Sequence, residues 1–522
     1  MSDSIYSTGI ETLGSRISNN DIDRQETITR VLTDLRQQPI SKQITTQTEQ
    51  PDPIEDDVEI IEKEFTLKNC SVLLATFFIF FVSWGFNAST GIILTHYLTT
   101  KDSFKITKTQ ISLISAMFQE LLGYQLVITI GNIFMFMGFI IGYKTKTINY
   151  LYTWAVFVGV GISFAFVPAT TLIPKIFIRN RALALSFILM GTGVGAVVAS
   201  LLGTFLEIDQ FLMSLAIIQV VIVSLSTIVL HLCYEDKYFV KRDLKGLKFF
   251  KEFAKQFKKY YSINIFKSYI ANLIAIWFNI ALMGYLIFIF SLSDYTKSMV
   301  PSISKVNSNL ITVYLNIGQI IGRPTMGRLG DKFGRANITI IFTFCCAIFI
   351  WVYWLNFTKS YGHIVGFAVL MGMSCGVANV FNTVLIADVC QNFPPEDNMF
   401  MKYWAYVNSN YAVFLLLAEF FVQKLTIPGN DVKNPYKHSQ YFSGSLYLFA
   451  LLLAFFTREY KVRTIIDTEI TKTQQQLDSM GTKNEDFEEE SKELTVKLEA
   501  LYESKAMNVK AFTRRALVPI VV

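Results

Sequence analysis

Three polar side chains interrupt an apolar run at "NIGQIIGRP": Asn316, Gln319 and Arg323. Their spacing, three then four residues, puts them on one face of a helix. A guanidinium inside a membrane-spanning helix offers a planar fork of donors that suits a carboxylate, and neighbouring amides add neutral hydrogen bonds. That is chemistry for gripping an organic anion. The competing reading is that Arg323, close to the end of its run, extends along its aliphatic stem to the membrane surface. Just beyond lies "GRLGDKFGR", Gly327 to Arg335. Asp331 and Arg335 are four apart, a spacing that pairs them on one helical face. Gly327, Gly330 and Gly334 suit a tight turn between helix ends, with Arg328 and Lys332 among them. Asp331 is expected at the N-terminal end of the following span, where the helix dipole favours an anion.

Other polar groups lie inside apolar runs. Trp84 and Asn87 are three apart and share a face; Asn272, Trp277, Asn279, Asn379, Asn382, Asn408 and Tyr411 are spread over three later runs. Each alone fits an interhelical hydrogen bond. Together they describe a cavity rich in amides and aromatics, suited to a fairly large, weakly charged or planar solute. Glu120 and Glu419 are acids within apolar runs, and ionisable groups there are costly and usually functional, which makes both candidates for proton coupling. Glu419 equally fits a place near the outer end of its span. Gly191, Gly195, Ala199 and Gly203 recur every four residues, a stripe that lets two helices approach closely and could slide during a conformational cycle. No nucleophile–base pair, metal cluster or phosphate loop emerges, and the six cysteines show no zinc or disulfide spacing. Neither an enzyme nor a cofactor is expected.

These residues must be positioned by membrane helices. Of 522 residues 52% are hydrophobic and only 17% charged, too apolar a balance for an ordinary soluble core. Several runs exceed the roughly 18 apolar residues that mark a spanning helix. Spans are read at 70–98, 124–143, 150–171, 182–206, 211–233, 268–292, 306–327, 336–357, 361–387, 401–423 and 440–456, with a doubtful one at 109–123. The expected domains are a disordered cytosolic tail (1–69), an N-terminal bundle (70–233), a basic central loop (234–267), a C-terminal bundle (268–456) and a cytosolic tail with a short helix near 485–507 (457–522). Lys and Arg flank one set of loops, including Arg179, Arg181, Arg328, Lys332, Arg335 and Arg458, which places those loops and both termini in the cytosol. The net charge of +6 is distributed beside spans and forms no nucleic-acid face.

Six plus six spans around a basic loop resemble the major facilitator superfamily, and "GRLGDKFGR" looks like its cytoplasmic signature between neighbouring spans. "SWGFNASTGIILTHYL" (83–98), "FAFVPATTLIPKIFIRNRALALSFILMGTGVG" (164–195), "YSINIFKSYI", "FSLSDYT" (290–296) and "GRPTMG" (322–327) resemble the monocarboxylate-transporter family, in particular its fungal branch of monocarboxylate- and riboflavin-type permeases. The resemblance implies an all-α polytopic membrane protein of two six-helix bundles with twelve spans, the second one short. It implies that the signature latches one face of the molecule shut, against the plainer reading that its basic residues only set topology. It also implies that Arg323 is linked to substrate. Ala88 stands where animal members carry a lysine, and Gln319 where they carry an aspartate. About fifteen residues after Gln119 are missing relative to such proteins.

The function expected on these grounds is a secondary transporter, a symport-type permease moving a monocarboxylate-like or vitamin-like organic anion by alternating access. The alternative is a non-transporting sensor or degenerate paralogue. Expected partners are a small-molecule solute, protons and the lipid bilayer, with no nucleic acid. The plasma membrane is preferred over the vacuole.

Overall fold

A computed structural model describes residues 64–86, 122–145, 150–234, 248, 251–255, 267–390, 399–427, 434–480, 488–506, 511–513 and 515; among them fourteen α-helices of eleven residues or more are complete, and no strand occurs. Two compact units result, one within 50–454 and one that includes 455–522.

In the first unit, α1 (Leu67–Phe80) begins at Thr66, whose hydroxyl accepts from Asn69 N, and continues as a wider π-helical turn, Phe81–Gly85. Then come α2 (Tyr124–Thr145), α3 (Tyr150–Ile176), α4 (Arg181–Phe205) and α5 (Ile208–Cys233). The C-terminal bundle opens with α6 (Tyr269–Met299) and α7 (Lys305–Phe333), capped by Ser268 and Ser304 in the manner of Thr66. After it come α8 (Arg335–Ile348, extended by a π-helical turn to Trp354), α9 (Tyr361–Cys375), α10 (Val377–Cys390), α11 (Met399–Ser409), α12 (Tyr411–Leu425) and α13 (Lys437–Met480). Among the described residues nine helical segments are long and apolar enough to cross a membrane. α7 matches them in length, and its polar stripe and charged last turns set it apart. Residues 87–121, which hold Asn87, Glu120 and most of the doubtful span, lie outside the described residues, as does most of 234–267.

Three sequence expectations change. The signature is no loop: α7 runs to Phe333, and only Gly334, at φ 95°, breaks the chain before α8. Gly327 and Gly330 are helical, so turn geometry does not explain them. A methyl group on Gly327 would meet Ser186 Oγ at 2.1 Å and Ala182 O at 2.5 Å; one on Gly330 would meet the Phe381 ring at 2.6 Å. They are glycines because another helix is in contact. Asp331 accordingly lies in the last turns of α7 rather than at the start of α8.

The glycine stripe of α4 packs inwards. A Cβ on Gly191 would lie 2.5 Å from Phe77 O, and one on Gly195 2.0 Å from Phe81 O, so α1 and α4 touch backbone to backbone within their bundle. These two positions therefore form no sliding surface between bundles; Gly203 is half-buried on the same helix. A similar arrangement joins α7 to α9, where a Cβ added to Gly318 or Gly322 would overlap Val369 O or Met373 O. All six cysteines are free thiols.

In the second unit, the part of α13 beyond Phe455 and α14 (Glu488–Lys505) are tied by Lys497–Glu469 (2.7 Å) and Lys505–Asp467 (2.6 Å). Arg515 is buried against Glu459 (2.9 Å from Nε) and donates to the carbonyls of Ser504 and Ala506. The boundary expected at 456 falls inside one unbroken helix.

Gly195→Ala is expected to destabilise the purified protein by about 1–3 kcal/mol through overpacking. Gly159→Ala, whose added methyl meets nothing within 4 Å, is expected to be neutral. Thermal unfolding of both variants in detergent checks the contrast.

Candidate functional site

α4 and α7 run antiparallel at the seam between the bundles. Ala182 and Ser186 meet Gly327, Leu189 and Thr192 meet Arg323, and Gly193 meets Ile320 and the Asn316 carbonyl. Two polar clusters are strung along this seam.

The first lies at the end bearing the basic loops. Asp331 accepts from the backbone N–H of Ala182 (3.2 Å) and Leu183 (2.8 Å), the first turn of α4. The expectation that Asp331 stands at the start of α8 is not met; the helix N-terminus it faces is that of α4, in the other bundle. Arg335 donates to Asp331 from Nε (3.0 Å) and Nη2 (2.9 Å), and from Nη1 to Asp388. Arg181 reaches the same Asp388 oxygen at 3.1 Å. Two guanidiniums and two carboxylates thus balance in a buried cluster, each side chain no more than 10% exposed. Asp331 and Arg335 pair as their spacing suggested, but across the Gly334 break rather than along one helix. Arg328 and Lys332 are exposed and take no part. Asp388 escaped the sequence reading, being a lone acid at the end of a run whose partners lie 207 and 53 residues away. In the sequence Arg181 marks only the topology of its loop.

The second cluster lies farther along the seam. Arg323 is 4% exposed and donates to Leu189 O, Thr192 Oγ1 and Gln319 Oε1. Gln319 in turn donates to Tyr285 Oη at 3.1 Å. Every one of these partners is neutral, and Arg323 forms no ion pair among the described residues. Its Nε is buried without a hydrogen-bond partner. Arg323 therefore does not extend to the surface; it crosses the seam. Gly376, the break between α9 and α10, lies against its stem.

Leu189 also lines a cavity of about 40 Å³ between the bundles, with Phe166, Asn382, Thr383, Trp404 and Asn408. That volume admits one or two waters and no organic solute. Asn382 donates to Asn408 (3.0 Å) and Trp404 to Thr383 (2.9 Å), while Asn382 Oδ1 is buried without a partner. Trp84, from α1, packs near the cavity against Phe166 and Tyr411. Trp277 and Asn279 are fully buried elsewhere: Asn279 donates to Ala275 O and to Val407 O, tying α6 to α11, and neither lines the cavity. Asn316 is buried on the face of α7 shared with Gln319 and Arg323. Glu419 lies on α12.

The sequence profile of the Major Facilitator Superfamily matches residues 72–414. The chain belongs to the Major Facilitator Superfamily. Within this superfamily it is 33% identical over 451 residues to the "Uncharacterized transporter ESBP6" of Saccharomyces cerevisiae, covering 81% of this chain and 66% of that protein. It is 26% identical over 326 residues to the "Probable transporter MCH2" of the same yeast (58% and 65%), and 26% over 332 residues to the "Agnestins efflux protein AgnL12" of Paecilomyces divaricatus (60% and 72%). The chain spans about two thirds of the length of these relatives. The superfamily fold is also that of the transporter FucP in its outward conformation, at TM-score 0.53 and 11% identity over 74% of this chain and 98% of FucP.

Asp388→Asn is expected to cost stability, since it leaves two buried guanidiniums facing one carboxylate; breaking such a pair costs about 3–5 kcal/mol. Combined with Arg181→Met, the loss should fall short of the sum of the single variants by about 0.5–3 kcal/mol. A double-mutant cycle by chemical or thermal unfolding checks this.

Proposed function

We propose that the protein is a secondary transporter that moves a small organic anion across a membrane by alternating access. One observation carries the reading: Arg323 is buried at the seam between the bundles with only neutral partners. A buried guanidinium without a counter-charge is costly, and an anionic solute supplies what is missing. The amide and aromatic cavity beside it, with the unpartnered Asn382 oxygen, adds neutral recognition of the rest of the solute. Of the classes named by the sequence resemblance, a larger vitamin-like anion matches these amide and aromatic groups better than a small monocarboxylate, in a conformation more open than this one.

The cycle follows from the two clusters. The Asp331–Arg335–Asp388–Arg181 cluster acts as the cytoplasmic latch, joining the bundles at the basic end. With the latch closed and the cavity too small for a solute, the conformation is shut on the cytosolic side. Release requires Asp331 to leave the first turn of α4 and Arg181 to part from Asp388. The bundles then rock about the cavity, and solute leaves past Arg323. Gln319, where animal relatives carry an aspartate, gives Arg323 an uncharged neighbour, so protons, if used, enter elsewhere; Glu419 and Glu120 are the proposed groups. Both termini face the cytosol, with the plasma membrane as the proposed location. The non-transporting alternative keeps the latch but predicts no flux at all.

Uptake of labelled short monocarboxylates and of vitamin-like organic anions into proteoliposomes tests the reading. Arg323→Lys keeps the charge but loses the fork, and flux is expected to fall at least tenfold, about 1.4 kcal/mol, with expression unchanged. Asp331→Asn is expected to lose flux as well. Flux of an accepted anion that survives Arg323→Gln would sink the proposal, and absence of flux with every acid tried favours the alternative.

A further inference from the structure

Glu64 lies just before α1, apart from the polar stripe and the glycine-rich signature. Its Oε1 accepts from the backbone N–H of Ile178 (2.8 Å) and Arg179 (2.6 Å), and its Oε2 from Asn180 N (3.0 Å) and Asn180 Nδ2 (2.9 Å). Asn69 Nδ2 holds the Glu64 carbonyl at 2.8 Å, and Phe65 packs on Phe177 with ring centroids 5.4 Å apart. Glu64 and Phe65 therefore clip the turn that joins α3 to α4.

The other side of that turn meets the latch. Arg335 Nη2 donates to Ile178 O (3.1 Å) and Arg179 O (3.2 Å). The carbonyl of Ile178 and the N–H of Arg179 belong to one planar peptide unit, as do the carbonyl of Arg179 and the N–H of Asn180. Two consecutive peptide planes are thus each held at the N–H by the Glu64 carboxylate and at the C=O by the Arg335 guanidinium. Each plane is a dipole set between an anion and a cation, an arrangement in which every bond strengthens the other. The planes are rigid, so a change at one end turns the group at the other.

We propose that Glu64 is a positioning residue of the latch: it fixes two peptide planes of the α3–α4 turn as the cradle into which Arg335 docks from the opposite bundle. This rests on the latch reading above. Glu64 shares a bundle with the turn, so it keeps the cradle set while Arg335 comes and goes. Without it the two carbonyls rotate away, Arg335 loses two acceptors, and the closed seam weakens at a distance from the change itself.

Cys390 provides a native reporter. It is 8% exposed and lies two residues beyond Asp388, whereas Cys346 and Cys375 are buried within the C-terminal bundle at 0% and 2%. The full-length chain in nanodiscs is treated with a membrane-impermeant maleimide, and labelling of each cysteine is followed by peptide mass spectrometry. Glu64→Gln is expected to speed alkylation of Cys390 about tenfold, equivalent to about 1.4 kcal/mol, with Cys346 and Cys375 still unreactive. Asp331→Asn, which removes the latch directly, is expected to do the same. If Asp331→Asn exposes Cys390 and Glu64→Gln leaves it at the wild-type rate, Glu64 caps its turn only and the proposal is overturned. If neither variant exposes Cys390, the latch reading itself fails, and this proposal with it. Should Glu64→Gln misfold, seen as labelling of Cys346 and Cys375, Glu64→Asp takes its place; it keeps the charge on a shorter stem and is expected to give an intermediate rate, and a wild-type rate there refutes the positioning role.

Discussion

Everything at the seam depends on an ionic cluster that balances itself. Two arginines and two aspartates are buried at the basic end, and taking any one of them out of water alone would be prohibitive. Together, with two backbone N–H groups and several carbonyls completing their hydrogen bonds, they form a neutral set divided between the bundles. The bundles cannot separate there without asking each half to carry an unbalanced charge. Water must enter as they part, which makes the opening a hydration event as much as a movement of helices.

Arg323 obeys the opposite rule a few turns away. Its partners are an amide, a hydroxyl and a carbonyl, so the positive charge is solvated by dipoles and is not neutralised. The same helix, α7, therefore carries a charge that the fold compensates and one that it does not. Both clusters hold the same α4 surface, so a change at one is expected to be felt at the other.

The spans were legible in the sequence because apolar runs of that length have few other uses, and the fold followed from their number and from the signature. Asp331 and Arg335 were legible as a pair from their spacing. Their partners were not: Asp388, Arg181 and Glu64 are single residues at the ends of apolar runs, and the groups they meet are 53 to 207 residues away. The glycines misled in an instructive manner. Gly327, Gly330 and Gly334 are alike in sequence, yet only Gly334 has a positive φ; the first two answer to Ser186 and Phe381 across a helix contact. Composition identifies a glycine and cannot say whether the chain or a neighbour requires it. Likewise, Trp277 and Asn279 had the chemistry of a binding site and the placement of a core, which periodicity along one helix cannot separate from a cavity wall.

The glycine contacts also decide where the molecule is stiff. α1 and α4 meet through bare backbone, and so do α7 and α9, at separations that leave no side chain between them to rearrange. Such close-packed pairs have little room for side-chain rearrangement at these points. The joint between the pairs is mixed: Gly327 lies against the Ala182 carbonyl, but at Arg323, Thr192 and Ile320 the contact is made by side chains with rotamers to spend. Of these three contacts the α4–α7 seam keeps the most side chains free to rearrange, so any relative movement of the two pairs is expected to be taken up there first.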